Sequence, residues 1–154
     1  MSDVMRWRYG DTNPVTVPVD SATVIEIGDL VYLETDDARP ASSQADLGTE
    51  AQNQEGFHDK FLGVAMQASR NGDTAPIRVA TSGVFEFITA LATYELGNLV
   101  GLVGATTLAD QEVKSVATEN LAVGRVAKRV NPAGTSVLVE IVSTVMRGGP
   151  QAMA

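Results

Sequence analysis

Histidine, cysteine and paired carboxylates build most catalytic sites, and this chain of 154 residues offers few of them. It has no cysteine, which excludes disulfides, thiolate catalysis and cysteine-ligated metals. Its one histidine, His58, would be the base of any nucleophilic triad, but no Gly-x-Ser-x-Gly turn supplies a nucleophile. Asp36 and Asp37 are adjacent, so on an extended chain they point in opposite directions, and no calcium-loop spacing follows them. We therefore predict no catalytic residues, no metal site and no cofactor.

Two weaker patterns also bear on chemistry. Gly97, Gly101 and Gly104 are spaced as in a phosphate-binding loop, but neither a Lys-Ser/Thr pair nor a helix start follows them. Asp59-Lys60 is similar to the Asp-Lys pair of swinging-arm lipoyl domains, which are also small duplicated β structures. The alternative function that we consider is a small trimeric β-fold hydrolase, or a carrier domain, with a site shared between subunits.

Composition and charge narrow the class of protein. The apolar fraction of 44% is enough for the core of one domain, and the net charge is −8. Phosphate backbones and anionic lipids repel an acidic surface, so we expect neither nucleic acid nor membrane as a partner. No apolar run reaches the roughly 18–20 residues of a transmembrane helix. The first residues lack the apolar core of a signal peptide, and we expect a protein made in a cytoplasm.

Short runs rich in valine and threonine, separated by 14 glycines and 6 prolines, are typical of strands joined by turns. We predict an all-β fold, a small β-barrel or β-tulip-like domain with at most one short helix. The helix is expected near residues 88–96, although these residues could also continue the preceding strand. The main strand candidates are residues 23–27, 30–33, 61–66, 77–80, 83–87, 99–103, 112–116, 121–128 and 137–146.

An internal similarity indicates a duplicated three-strand unit. In both halves a Gly-polar turn leads into a strand, followed by a strand that contains or begins with glycine and then by a third strand. The matching segments are Ile27–Leu33 with Leu96–Leu102, Gly63–Ala65 with Gly124–Val126, and Ile77–Val79 with Val137–Val139. We expect the two copies to pair into one closed or nearly closed sheet, which would remove exposed strand edges.

Residues 14–146 are predicted to form the domain, with an extended N-terminal arm at 1–13 and a flexible tail at 147–154. Residues 34–59 carry seven acids and one base, and we expect a long acidic surface loop there. The arm holds four candidate contact residues, Arg6, Trp7, Arg8 and Tyr9. It could add its backbone to another protein's sheet edge, with aromatic anchors at alternate positions, or pack along its own barrel.

Several segments in order resemble the capsid cement, or head decoration, proteins of tailed bacteriophages. The resemblance runs from about residue 22 to residue 142, and Gly-Val-Phe-Glu-Phe at 83–87 is its most telling part. The arm and the region around 44–55 do not match the family pattern. The segments that carry the resemblance are Gly28–Leu33, Arg39–Ser42, Phe61–Ala65, Ile77–Phe87 and Leu96–Val100.

The resemblance implies a β-barrel or β-tulip-like fold and a structural, non-enzymatic function. It implies homotrimers on the outer surface of an icosahedral phage head, each clamping neighbouring major capsid proteins against the pressure of packaged DNA. The contact role of the arm does not come from the resemblance. It rests on the physical argument about its aromatic residues alone.

Overall fold

The computed structural model describes residues 3–151, and strands make up most of its regular structure. Their bounds are Trp7–Tyr9 (β1), Val15–Val17 (β2), Leu30–Glu34 (β3), Asp37–Pro40 (β4), Phe61–Ala65 (β5), Ile77–Ala80 (β6), Ser82–Tyr94 (β7), Leu99–Leu102 (β8), Glu112–Ser115 (β9), Gly124–Val126 (β10) and Val130–Val142 (β11). Five of them close into a barrel in the order β7-β11-β10-β8-β9, because β9 pairs in parallel with β7. The predicted all-β fold with a small barrel is confirmed.

The first half of the chain forms a second sheet in the order β2-β6-β5-β3-β4. Its two outer strands approach each other, since the Ala38 N–H donates to the Pro18 carbonyl at 3.0 Å. One face of this sheet encloses a small apolar core of its own, and the other packs on the core of the closed barrel. Strand β5 is buried along its whole length for this reason, which explains its continuous apolar sequence.

The two sheets have the same strand order, with β6-β5-β3-β4 in the first corresponding to β11-β10-β8-β9 in the second. The strands that are similar in sequence occupy equivalent places in the two sheets. The expectation that both copies share one closed sheet is wrong, because each copy pairs with itself and the two sheets then pack face to face. The smaller core lies within the first sheet, whereas residues of both sheets line the larger one. We call the first sheet, which is brought together at Pro18 and Ala38, the first barrel, and the closed sheet the second barrel.

The equivalence extends to single hydrogen bonds in the turn that begins each repeat. In the first, the Glu26 N–H donates to the Asp29 carboxylate at 2.9 Å. In the second, the Glu95 N–H donates to the Asn98 side-chain oxygen, also at 2.9 Å. The turn therefore needs a side-chain oxygen at this position but no charge.

The region predicted as an acidic loop, residues 34–59, contains β4, a 3₁₀ turn at Ala41–Ser43 and most of helix α1, Glu50–Lys60. Thr49 caps the helix by accepting from the Gln52 N–H at 3.2 Å, and Thr-x-x-Gln is the sequence pattern of a capping box. The loop prediction was wrong because the buried side of this helix is mostly polar. Its buried residues are Asn53, Gln54 and Phe57.

The helix expected at 88–96 is absent, and β7 continues through most of that segment. Thr89 is held by pairing with Val113 of β9, and its hydroxyl lies 2.5 Å from the Tyr94 hydroxyl. Pairing with two neighbouring strands overrides the helix propensity of the alanines and leucines.

The C-terminal tail is ordered at its start. A single-turn helix, α2, covers Thr144–Arg147, and Gly149 and Pro150 are buried behind it. The rest of the predicted flexible tail, residues 152–154, lies outside the described residues, as do residues 1 and 2 of the predicted arm. Within residues 3–151 no helix is long and apolar enough to cross a membrane.

Candidate interaction surface

Residues 3–13, which we call the strap, cross from one barrel to the other. At its start the Ile27 N–H donates to the Asp3 carboxylate at 2.9 Å, and the Val4 N–H donates to the Ile27 carbonyl at 3.0 Å. Asp3 also forms an ion pair with Arg70. Farther along, β1 pairs with β7 of the second barrel. The arm thus packs on its own domain and joins the two repeats.

Arg6 anchors the strap through a buried chain of polar groups. Its Nε donates to Gln111 Oε1 at 2.7 Å, and Gln111 Nε2 donates to Asp29 Oδ1 at 2.8 Å. Arg6, Gln111 and Asp29 are 7%, 0% and 2% exposed. Burial raises the pKa of Asp29 to about 6, although its hydrogen bonds with Gln111 and the Glu26 amide act in the opposite direction. The prediction that Arg6 contacts a partner is therefore corrected: in the docked strap it is an internal anchor.

Trp7 and Tyr9 remain accessible, at 41% and 52% exposure, and Met5 beside them is 47% exposed. The three residues follow one another closely along the strap, and a β-bulge interrupts the pairing with β7 between Trp7 and Tyr9. The Trp7 Nε1 donates to the Gly10 carbonyl at 2.9 Å, which fixes the ring on the strap. We call these three residues the strap patch. A pre-positioned tryptophan and tyrosine are the residue types that dominate binding at protein interfaces.

Arg8 closes the outer edge of the strap to strand pairing. Its Nη1 donates to the carbonyls of Met5 at 3.0 Å and Trp7 at 3.2 Å. Its guanidinium also pairs with Glu86 at 2.8 Å, which holds the pKa of that carboxyl below its usual range. Because charged groups of this kind protect sheet edges, the expected backbone addition to another sheet does not suit the strap as it is docked. Contacts with a partner would come from the side chains of the strap patch.

The residues considered for catalysis lie on two different elements and share no hydrogen bond with one another within residues 3–151. His58 sits on α1 with its Nδ1 2.8 Å from the Ala122 carbonyl. Asp36 and Asp37 belong to the hairpin between β3 and β4, and Lys60 is the last residue of α1 rather than the tip of a hairpin. Within residues 3–151 no cluster of three or more His, Cys, Asp or Glu side chains is placed to hold a metal ion.

The glycines that suggested a phosphate loop serve the strands instead. Gly97 adopts a positive φ of 86° in the turn before β8, and Gly101 lies within β8, where an added Cβ would come 2.4 Å from the Leu121 carbonyl oxygen. The structure also contains surface hollows. One of about 330 Å³ lies between α1 and the hairpin of β3 and β4, with Tyr32, Asp59 and Lys60 in its wall.

Gln111 is the residue that sequence reasoning missed most clearly. It lies in a short connection before β9 and shows no motif, and only the fold brings it between Arg6 and Asp29. Asp29 was visible as part of a Gly-Asp turn, but nothing in the sequence indicates that the strap covers it.

Comparison with known proteins gives no relative from which a function could be taken. No family model matches the chain, and no curated protein matches it either.

Proposed function

We propose that this chain is a structural capsid cement protein that binds the outside of an icosahedral phage head as homotrimers. It clamps neighbouring copies of the major capsid protein of the same phage and catalyses no reaction. The observation that carries the proposal is the strap patch, because Trp7 and Tyr9 are held exposed on a segment fixed to both barrels. The ordered sequence similarity to cement proteins supports the same assignment.

The physical basis of such a clamp is linkage. A protein that binds only the assembled, expanded shell stabilises that shell by its free energy of binding. Three copies joined in one trimer multiply weak contacts through avidity, and threefold symmetry fits the symmetry of the lattice positions. A strap joined to both barrels supports this action, because a contact made by the strap patch transmits force to the whole domain.

The net charge of −8 suits a position on the outer surface of the head. There the protein would be separated from packaged DNA by the capsid wall, so its charge would not be repelled at short range. The proposal accordingly includes neither nucleic acid nor membrane among the partners.

Replacing Trp7 and Tyr9 together by alanine is expected to weaken binding to expanded shells at least about 30-fold, equivalent to one hot spot of about 2 kcal/mol. The domain itself should stay folded, because neither side chain belongs to the core. Binding is measured by cosedimentation with shells of the virus that encodes the chain. Leu47→Ala, which truncates a half-exposed side chain outside the strap, is the matched control and should bind as the unmodified chain does. Equal binding by the double variant would remove the strap patch from the account.

A hydrolase or carrier function remains the second candidate, and the hollow beside Asp59 and Lys60 is the observation that favours it. For a carrier, intact-mass measurement of the chain from its native host would show a group attached to Lys60. For a hydrolase, a thermal-shift screen would find a small ligand whose effect disappears in Asp59→Asn. Either result would replace the cement proposal.

A further inference from the structure

The strap lies directly on the turn that holds Asp29. A Cβ added to Gly28 would meet the Val4 carbonyl oxygen at 2.4 Å and Arg6 Cγ at 3.3 Å, so strap and turn are in close contact. We propose that Asp29, linked to Arg6 through Gln111, is a pH-sensitive latch that holds the strap closed in mild acid and loosens it as the pH rises towards neutrality. The latch does not depend on the proposed function.

The charges around Asp29 favour its neutral form when the strap is closed. Two carboxylates, Glu26 and Asp110, face it, and one guanidinium, that of Arg6, lies on the far side of the uncharged Gln111. Within the described residues Glu26 Oε2 is buried without a hydrogen-bond partner, which makes a second negative charge nearby more costly.

Arg6 in turn faces Arg8 and Glu86 in addition to Asp29. The two acids and the neighbouring arginine have opposite effects on its charge, and the guanidinium stays protonated throughout the physiological range. Among the three hydrogen-bonded residues Arg6, Gln111 and Asp29, it is therefore Asp29 whose charge changes in mild acid.

The direction of the pH effect follows from which state binds the proton more tightly. Opening the strap would return water to Asp29 and let its pKa fall towards the ordinary value near 4. With the strap closed the pKa is about 6. Protonation therefore favours the closed strap, and the stabilisation is lost as the pH rises through about 6.

The second repeat supports a special role for this charge. Asn98 occupies the position equivalent to Asp29 and makes the same bond to the amide three residues earlier, without any charge. Asn98 is exposed and no strap covers it, as far as residues 3–151 describe. The ionisable residue, Asp29, therefore lies in the turn that the strap covers, and the uncharged residue, Asn98, lies in the equivalent turn that is exposed.

Hydrogen exchange of the full chain, corrected for the intrinsic effect of pH, tests the latch. The reporter is the Glu86 N–H, which donates to the Arg6 carbonyl at 2.9 Å and is released only when the strap opens. Its opening constant should rise about tenfold between pH 5 and pH 8, which is the change that a shift of the pKa from about 4 to about 6 gives over this range. The Met66 N–H, bonded to the Arg78 carbonyl inside the first sheet, should show no such change.

The decisive variant is Asp29→Asn, which keeps an oxygen for the turn but cannot ionise. An amide has only one oxygen, so its NH₂ group would face one of the two donors, Gln111 Nε2 or the Glu26 N–H. The strap is therefore expected to open more at every pH, and its opening constant should not change with pH. Asp59→Asn removes an exposed acid outside the strap, and its opening constant should depend on pH as that of the unmodified chain does.

An opening constant that does not change with pH in the unmodified chain, or that changes equally in Asp29→Asn, would overturn the latch. Because shells take no part in this measurement, a failure of the proposed function would show only in the binding experiment.

Discussion

Gly63→Ala should destabilise the protein by at least about 3 kcal/mol, and Gly124→Ala should do the same in the other repeat. A Cβ on Gly63 would lie 1.8 Å from the Ala80 carbonyl oxygen, and one on Gly124 would lie 2.2 Å from that of Glu140. The obstacle is backbone of the neighbouring strand in both cases. No rotamer change relieves the clash, and the paired strands must separate.

Gly134→Ala is the control for both glycine variants. Gly134 also lies in a strand, but a Cβ there meets only the side chain of Val130 at 3.1 Å, which can move. We expect a change within about 1 kcal/mol for this variant. Urea denaturation followed by circular dichroism gives the free energies of unfolding. If either Gly63→Ala or Gly124→Ala were as stable as the control, the conclusion that the two repeats pack in the same way at these glycines would be contradicted.

Gln111→Ala is expected to cost about 3–5 kcal/mol, the second large effect. Gln111 has no exposed surface, and its amide satisfies Arg6 Nε and Asp29 Oδ1 together, at 2.7 and 2.8 Å. Truncation leaves a buried guanidinium and a buried carboxyl without these partners, in addition to a cavity. Both the strap and the turn of the first repeat should lose stability.

An exposed glutamine gives the matched comparison for this variant. Gln67 makes one bond, in which its Oε1 accepts from the Arg78 N–H at 2.8 Å, and Gln67→Ala should cost no more than about 1 kcal/mol. Chemical denaturation at pH 7 measures both variants. Equal stability of the two would mean that the buried chain of polar groups contributes nothing to holding the strap.

The sequence was most informative where the local backbone conformation restricts which residue type can occupy a position. The Gly-Asp and Gly-Asn turns and the strands that follow them were recognisable because a positive φ and a side-chain acceptor require these residues. The same demands, repeated in order, revealed the duplication. Which strands pair with which is set by contacts distant in the chain, so the division into two separate sheets could not be read in advance.

Helix α1 was missed although its capping box, Thr49 with Gln52, was present in the sequence. Hydrophobic periodicity could not reveal the helix, because its inner face is held largely by polar bonds. Gln54, for example, is buried and donates to the Leu102 carbonyl at 2.8 Å. The opposite error arose at 88–94, where alanine and leucine favoured a helix and long-range strand pairing prevailed.

Of the candidate site, the aromatic part was predictable and the anchoring part was not. Trp7 and Tyr9 stood out by type in a segment that could not bury them alone, and they are exposed. Arg6 was grouped with them because it is a neighbour in sequence. Its burial depends on Gln111, more than a hundred residues away, and no local pattern carries that information.

The central claim is that the chain acts by binding an assembled protein shell. The most direct measurement mixes the full chain with expanded shells of the phage proposed to carry it and records both bound mass and the temperature at which the shells break. The account predicts saturable binding in multiples of three copies and a higher disruption temperature. A chain that stays monomeric in the supernatant, while the shells break at an unchanged temperature, would contradict it.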